Sequence, residues 1–112
     1  MKQGKVWGMT DEMFSTGNVS VHLLHIEAGG YSSEHLHDAK SNLFYVIEGK
    51  VEISQWANAD AIDKTVLSAG ESTTILPGIW HKFQAFERSV VVEIYELRFR
   101  GEDIVRRSQG GR

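Results

Sequence analysis

The chain contains no cysteine, which excludes disulfides, thiolate metal ligands and a cysteine nucleophile. It has a single proline, far from the composition of a Pro-rich disordered segment. No apolar run approaches the roughly 20 residues that a membrane-spanning helix needs. Behind the charged start Met1–Lys5 there is no apolar h-region, so no secretory signal is expected and the cytoplasm is the expected compartment. Basic residues are not in excess: 12 Lys and Arg against 15 Asp and Glu leave a formal charge of −3, which argues against nucleic acid as a partner. Also missing is any window with the 3.6-residue apolar period of a three-turn helix. What remains is a 112-residue chain with three tryptophans and five phenylalanines, enough for one core and one domain.

Strand patterns fill that domain. Val19 to Glu27 alternates with mixed faces, Val21, Leu23 and His25 on one side and His22, Leu24 and Ile26 on the other, as in a strand covered on both sides. Leu43 to Ile47 is apolar and closes at Gly49, where Lys50–Trp56 begins a hairpin partner. Thr65–Leu67, Ser72–Leu76 and the valine-rich Ser89–Phe99 complete the set. Phe14–Asn18 reads as a turn and Ala57–Lys64 as a hairpin loop. Short strands separated by turn signals predict an all-β sandwich or barrel. The expected core runs over about 19–99. Residues 1–13 form an edge strand or an arm laid over a neighbouring subunit, and a loose tail covers about 107–112.

The chemistry centres on His35-Leu36-His37. In an extended strand residues two apart share a face, so both imidazoles point the same way. Neutral imidazole ligates zinc, iron, copper and nickel, and two converging rings make half a coordination sphere. A third histidine, His81, follows the turn Pro77-Gly78 and also enters a strand. The competing explanation of each is a polar residue on a solvated face or a core histidine bonded to a carbonyl. Glu34 and Asp38 alternate onto the opposite face and read as solvent charges, and His22 and His25 read as structural or exposed.

The ordered residues Gly29, His35, His37, Asn42 and Gly49 resemble the first motif of the cupin family. Gly70 with Pro77-Gly78-Ile79-Trp80-His81 resembles the second. Together they span about half the chain. The resemblance implies a cupin double-stranded β-helix, a small jelly-roll barrel. It also implies one divalent transition metal (zinc, iron, manganese or nickel) held by His35, His37, Asn42 and His81. Two departures stand out: Asn42 occupies a position where the family usually has glutamate, and Leu76 and Ala85 replace the usual proline and asparagine of the second motif. Within cupins, Trp7-Gly8 near the start and Gly101-Glu102-Asp103-Ile104-Val105-Arg106 near the end are similar to the type II mannose-6-phosphate isomerase domain. That likeness implies a sugar or sugar phosphate as ligand.

Asn42 supplies a neutral amide oxygen in place of a carboxylate, leaving the site one unit more positive and suited to an anionic ligand. Tyr31, Phe44, Trp80, Phe83 and Tyr95 are the aromatic candidates for lining the cavity. Glu93, alone among valines and isoleucine, is a general base if it faces inward and a surface charge if it faces outward. Three activities follow: an isomerase-like enzyme, a three-histidine iron dioxygenase, and a non-catalytic ligand-binding or sensor module. Exposed edge strands make a homodimer the expected assembly.

Overall fold

The computed structural model describes residues 1–58, 62–97 and 104–112. Among them there is no helix. Eleven strands run in chain order: β1 (Lys2–Lys5), β2 (Gly8–Ser15), β3 (Val19–Ile26), β4 (His35–His37), β5 (Lys40–Glu48), β6 (Lys50–Trp56), β7 (Ile62–Ser68), β8 (Ser72–Ile75), β9 (Trp80–Ala85), β10 (Ser89–Leu97) and β11 (Ile104–Arg106). They form a six-stranded sheet, β1-β2-β3-β10-β5-β8, and a five-stranded sheet, β11-β4-β9-β6-β7. Every pairing is antiparallel. The architecture is the expected all-β jelly roll, and its inner faces meet as the alternation in the sequence requires.

Phe44, Val46, Val51, Ile53, Leu67, Ile75, Phe83, Ala85 and Val91 join Leu24, Ile26 and Trp7 in one apolar cluster. Fully burying such side chains is worth roughly 1.5–3 kcal/mol each. Gly49 makes the tight β5–β6 connection at φ 99°, a left-handed conformation that disfavours other residues. A Cβ there would also meet the Arg88 carbonyl oxygen at 2.7 Å.

The chain ends differ from the sequence expectation. Residues 1–13 supply two strands, not one: β1, at the edge of the six-stranded sheet, makes a hairpin with β2, and β2 pairs with β3 of the same barrel. Trp7 pins it, with its ring edge-on to Phe83 at 5.0 Å between centroids and its carbonyl accepting from Glu27 N at 2.9 Å. β2 continues to Ser15, so the turn is shorter than Phe14–Asn18, and β7 begins at Ile62, inside the expected loop. The tail expected to be loose is hydrogen-bonded: Gly111 and Tyr31 exchange both backbone bonds at 2.7 and 2.8 Å, and Arg107 N donates to Glu34 O. Phe99 and the Gly101–Asp103 part of the terminal motif lie outside the described residues.

Candidate metal centre

His35 on β4 is the direct cross-strand partner of His81 on β9, and His37 lies two residues further along the same face of β4. Side chains opposite one another on an antiparallel pair sit about 5 Å apart, so the register alone converges the rings. The three ring centroids are 4.4 Å (His35–His81), 5.2 Å (His35–His37) and 5.6 Å (His37–His81) apart. One nitrogen from each lies within 4.8 Å of the other two. All three side chains are buried.

The same local device orients two of them. His35 Nδ1–H donates to the carbonyl of Ser33 at 2.8 Å, and His81 Nδ1–H donates to that of Ile79 at 2.9 Å. In each case the acceptor is two residues earlier, as the chain enters its strand. Because a carbonyl only accepts, Nδ1 carries the proton and Nε2 keeps its lone pair. Burial pushes the pKa of both rings down; for His81, with His35 and His37 beside it, the value falls to about 3. Both are therefore neutral at pH 7, the ligating form. His81 Nε2 is buried without a hydrogen-bond partner, which in a native core calls for an explanation. A metal ion is the explanation this donor set fits: carbonyl-anchored imidazoles are the usual arrangement around zinc, iron and manganese.

Asn42 on β5 and Glu93 on β10 lie beside the cluster. Asn42 is fully buried; its Nδ2 donates to Glu93 Oε2 at 3.1 Å, and its Oδ1 is buried without a partner. Glu93 faces inward, 7 % exposed, so the surface alternative for this residue is overturned. Desolvation pushes its pKa up to about 7, opposed by hydrogen bonds from Asn42 and Tyr95. Tyr95, on the same face of β10, stands edge-on to His37 at 5.2 Å and to His22 at 5.6 Å.

A cavity of about 500 Å³ opens beside these groups. Of the aromatic residues expected to line it, Phe83 and Tyr95 do. Phe44 is core beneath His81, the ring centroids 6.5 Å apart. Trp80 and Tyr31 are not among the lining residues, because they occupy positions that alternate away from the interior. Trp80 carries the Arg107 guanidinium on its face at 4.4 Å, and Tyr31 lies under Lys82 at 5.5 Å. His22 was missed by the sequence reading: it lines the cavity, cross-strand from Glu93. Its signal was the parity it shares with Leu24 and Ile26, both of which point inward. The hairpin residues Lys5, Trp7 and Thr10 also belong to the wall.

No curated protein matches the chain. Among solved structures, KdgF from Halomonas sp. is similar at 20 % identity, with 81 % of each chain covered and a TM-score of 0.72. A Klebsiella pneumoniae protein with a double-stranded β-helix domain is 20 % identical over 88 % of this chain and 77 % of its own, TM-score 0.71. Oxalate decarboxylase from Bacillus subtilis, a protein with Mn(II) centres, is 14 % identical over 95 % of this chain, TM-score 0.81, but this chain spans only 29 % of its length. At these identities the likeness is one of fold. The family described as "Cupin domain" matches residues 22–95, from His22 on β3 through Tyr95 on β10, and the chain belongs to that family.

Proposed function

We propose that this cupin binds one divalent transition metal through Nε2 of His35 and His81, His37 and Asn42 Oδ1, and that it acts on a small polar ligand of the sugar or sugar-phosphate kind. The observation that carries the reading is the unpartnered, buried Nε2 of His81, converged with two further imidazoles beside a buried carboxylate. When bound, the metal would supply Lewis-acid polarisation of a ligand carbonyl.

The remaining work falls to the chain's own groups. Glu93, with a pKa near 7, is matched to taking a proton from a carbon beside that carbonyl and returning it to the neighbouring one, the proton movement of an aldose–ketose isomerisation. Asn42 Nδ2 fixes the carboxylate for that task. An inward Glu93 favours this isomerase-like reading over a purely non-catalytic module, which would have no use for a carboxylate held at that cost.

Elemental analysis of purified wild type beside His37→Ala tests the metal. About one equivalent of a single transition metal, lost in the variant, is expected. A wild type that carries none and takes up none sinks the assignment. Proton NMR in D2O with fructose 6-phosphate then tests the chemistry: solvent deuterium should enter at the carbon beside the carbonyl with wild type and not with Glu93→Gln.

A further inference from the structure

We propose that the cavity receives a small anionic ligand, and that Lys5 and Arg106 hold its carboxylate or phosphate at the wall beside the histidine cluster. The inference rests on the reading of this cavity as the ligand site of the metal centre, and it names the group the ligand must carry.

Both cations line the cavity, and each is placed by backbone pairing. Arg106 on β11 is the cross-strand partner of His35, so its side chain shares the face on which that imidazole stands. Lys5 ends β1 opposite Gly8, at the tip of a hairpin that Trp7 locks into the core. His35 and Glu93 line the same cavity, so both cations share a wall with the histidine cluster.

The charged residues among those lining the cavity are Lys5, Arg106 and Glu93, and the Glu93 carboxylate is already engaged by Asn42 Nδ2 at 3.1 Å. The Glu12 carboxylate, cross-strand from His22, is not part of the wall. A divalent ion at neutral imidazoles and a neutral Asn42 would add further positive charge. The chain as a whole is anionic at −3, so this mouth is a positive spot on a negative molecule, the arrangement that focuses anions into a cleft. Lys5 and Arg106 both lie outside residues 22–95, so these cations come from the chain's two ends and not from the segment it shares with the cupin family.

Isothermal titration calorimetry tests this with three probes of similar size: gluconate, glucose 6-phosphate and glucose. The protein is used as purified, with its metal content measured, as wild type, Lys5→Ala, Arg106→Ala and the control Lys2→Ala, an exposed residue of β1 outside the cavity lining. The expected result is binding of at least one anionic probe, weaker at 200 than at 50 mM salt, and none of glucose. Which anion binds more tightly separates a carboxylate ligand from a phosphate ligand. Each cavity variant should weaken that binding about tenfold, the worth of one charge-assisted hydrogen bond, with metal content unchanged and Lys2→Ala like wild type. Glucose binding as well as the anions, no binding of either anion, or wild-type affinity in both variants overturns the inference. A metal-free wild type whose anion binding still falls in Lys5→Ala breaks the metal reading and supports this one.

Discussion

The two halves of the barrel interior are built on the same strands and could hardly differ more. On β3 the inward positions read Ile26, Leu24, His22; on β5, Val46, Phe44, Asn42; on β9, Ala85, Phe83, His81; on β10, Val91, Glu93, Tyr95. Each strand changes from apolar to polar in a single two-residue step, roughly 6–7 Å along its axis. One half stabilises the fold. The other accumulates groups that are costly to bury: the His81 Nε2 lone pair without a donor, an amide oxygen without a partner and a desolvated carboxylate. Conflict with folding rules that is confined to one end of a barrel is what a functional site looks like.

The division predicts unequal responses to truncation. Phe44→Ala, in the apolar half, should cost about 3–5 kcal/mol in chemical denaturation, since its fully buried ring touches both Phe83 and the His81 ring above. A loss under about 1 kcal/mol would show that the floor is not what holds the barrel together.

Glu93→Gln should do the opposite. In metal-free protein the folded Glu93 holds its proton up to about pH 7, against an ordinary value of 4.5. Its favourable share is therefore present below pH 4.5 and is lost as pH rises to 7. Gln keeps an acceptor for Asn42 Nδ2 and has no charge to desolvate. The variant should match wild type near pH 4 and exceed it at pH 8 by an amount on the order of 3 kcal/mol. His35 and His81, with lowered values, destabilise both proteins as pH falls below 6.5 and cancel in the difference. Lys5 and Lys40, whose charges favour the carboxylate, already hold the value below what desolvation alone would give. Equal stability of the two proteins at pH 8 would mean that the carboxylate is hydrated after all.

His37→Ala separates stability from binding. Added zinc or manganese should raise the melting temperature of wild type, by about 2.7 kcal/mol of stabilisation at a hundredfold excess over its Kd. The variant should show no such rise. A variant that melts higher with metal, as wild type does, would place the ion elsewhere.

How much of this was legible follows from what a period of two can and cannot say. It placed His35 with His37, and the turn residues Gly49 and Pro77-Gly78 marked the strand entries, so the cluster was readable. The same period assigned His22 to the face of Leu24 and Ile26, but which face was interior depended on the far partner β10, invisible in the local pattern. For Glu93 the ambiguity was the same, because valines and isoleucine flank it on both faces of β10. Trp80 was misjudged for the converse reason. An aromatic beside a ligand histidine is adjacent in sequence and, on a strand, opposite in space. The ends were read least well, since the hydrogen bonds that fix residues 107–111 go to Tyr31 and Glu34, more than 70 residues away.

Trp80 also gives the finest test of the boundary between inside and outside. Its ring lies under Arg107, which also faces Trp56 at 5.3 Å and bonds Glu34 Oε1 at 3.0 Å through Nε. These groups are partly exposed, so the ion pair is screened and the stack is worth little: Arg107→Ala should cost only about 0.5–1 kcal/mol. Because the contact is on the outer face of the five-stranded sheet, the variant should change tryptophan fluorescence while leaving metal content and anion affinity as in wild type. If Arg107→Ala altered either of those, Trp80 would have to be coupled to the cavity, and the separation of a binding interior from a stabilising exterior would fail on β9, the strand that carries His81.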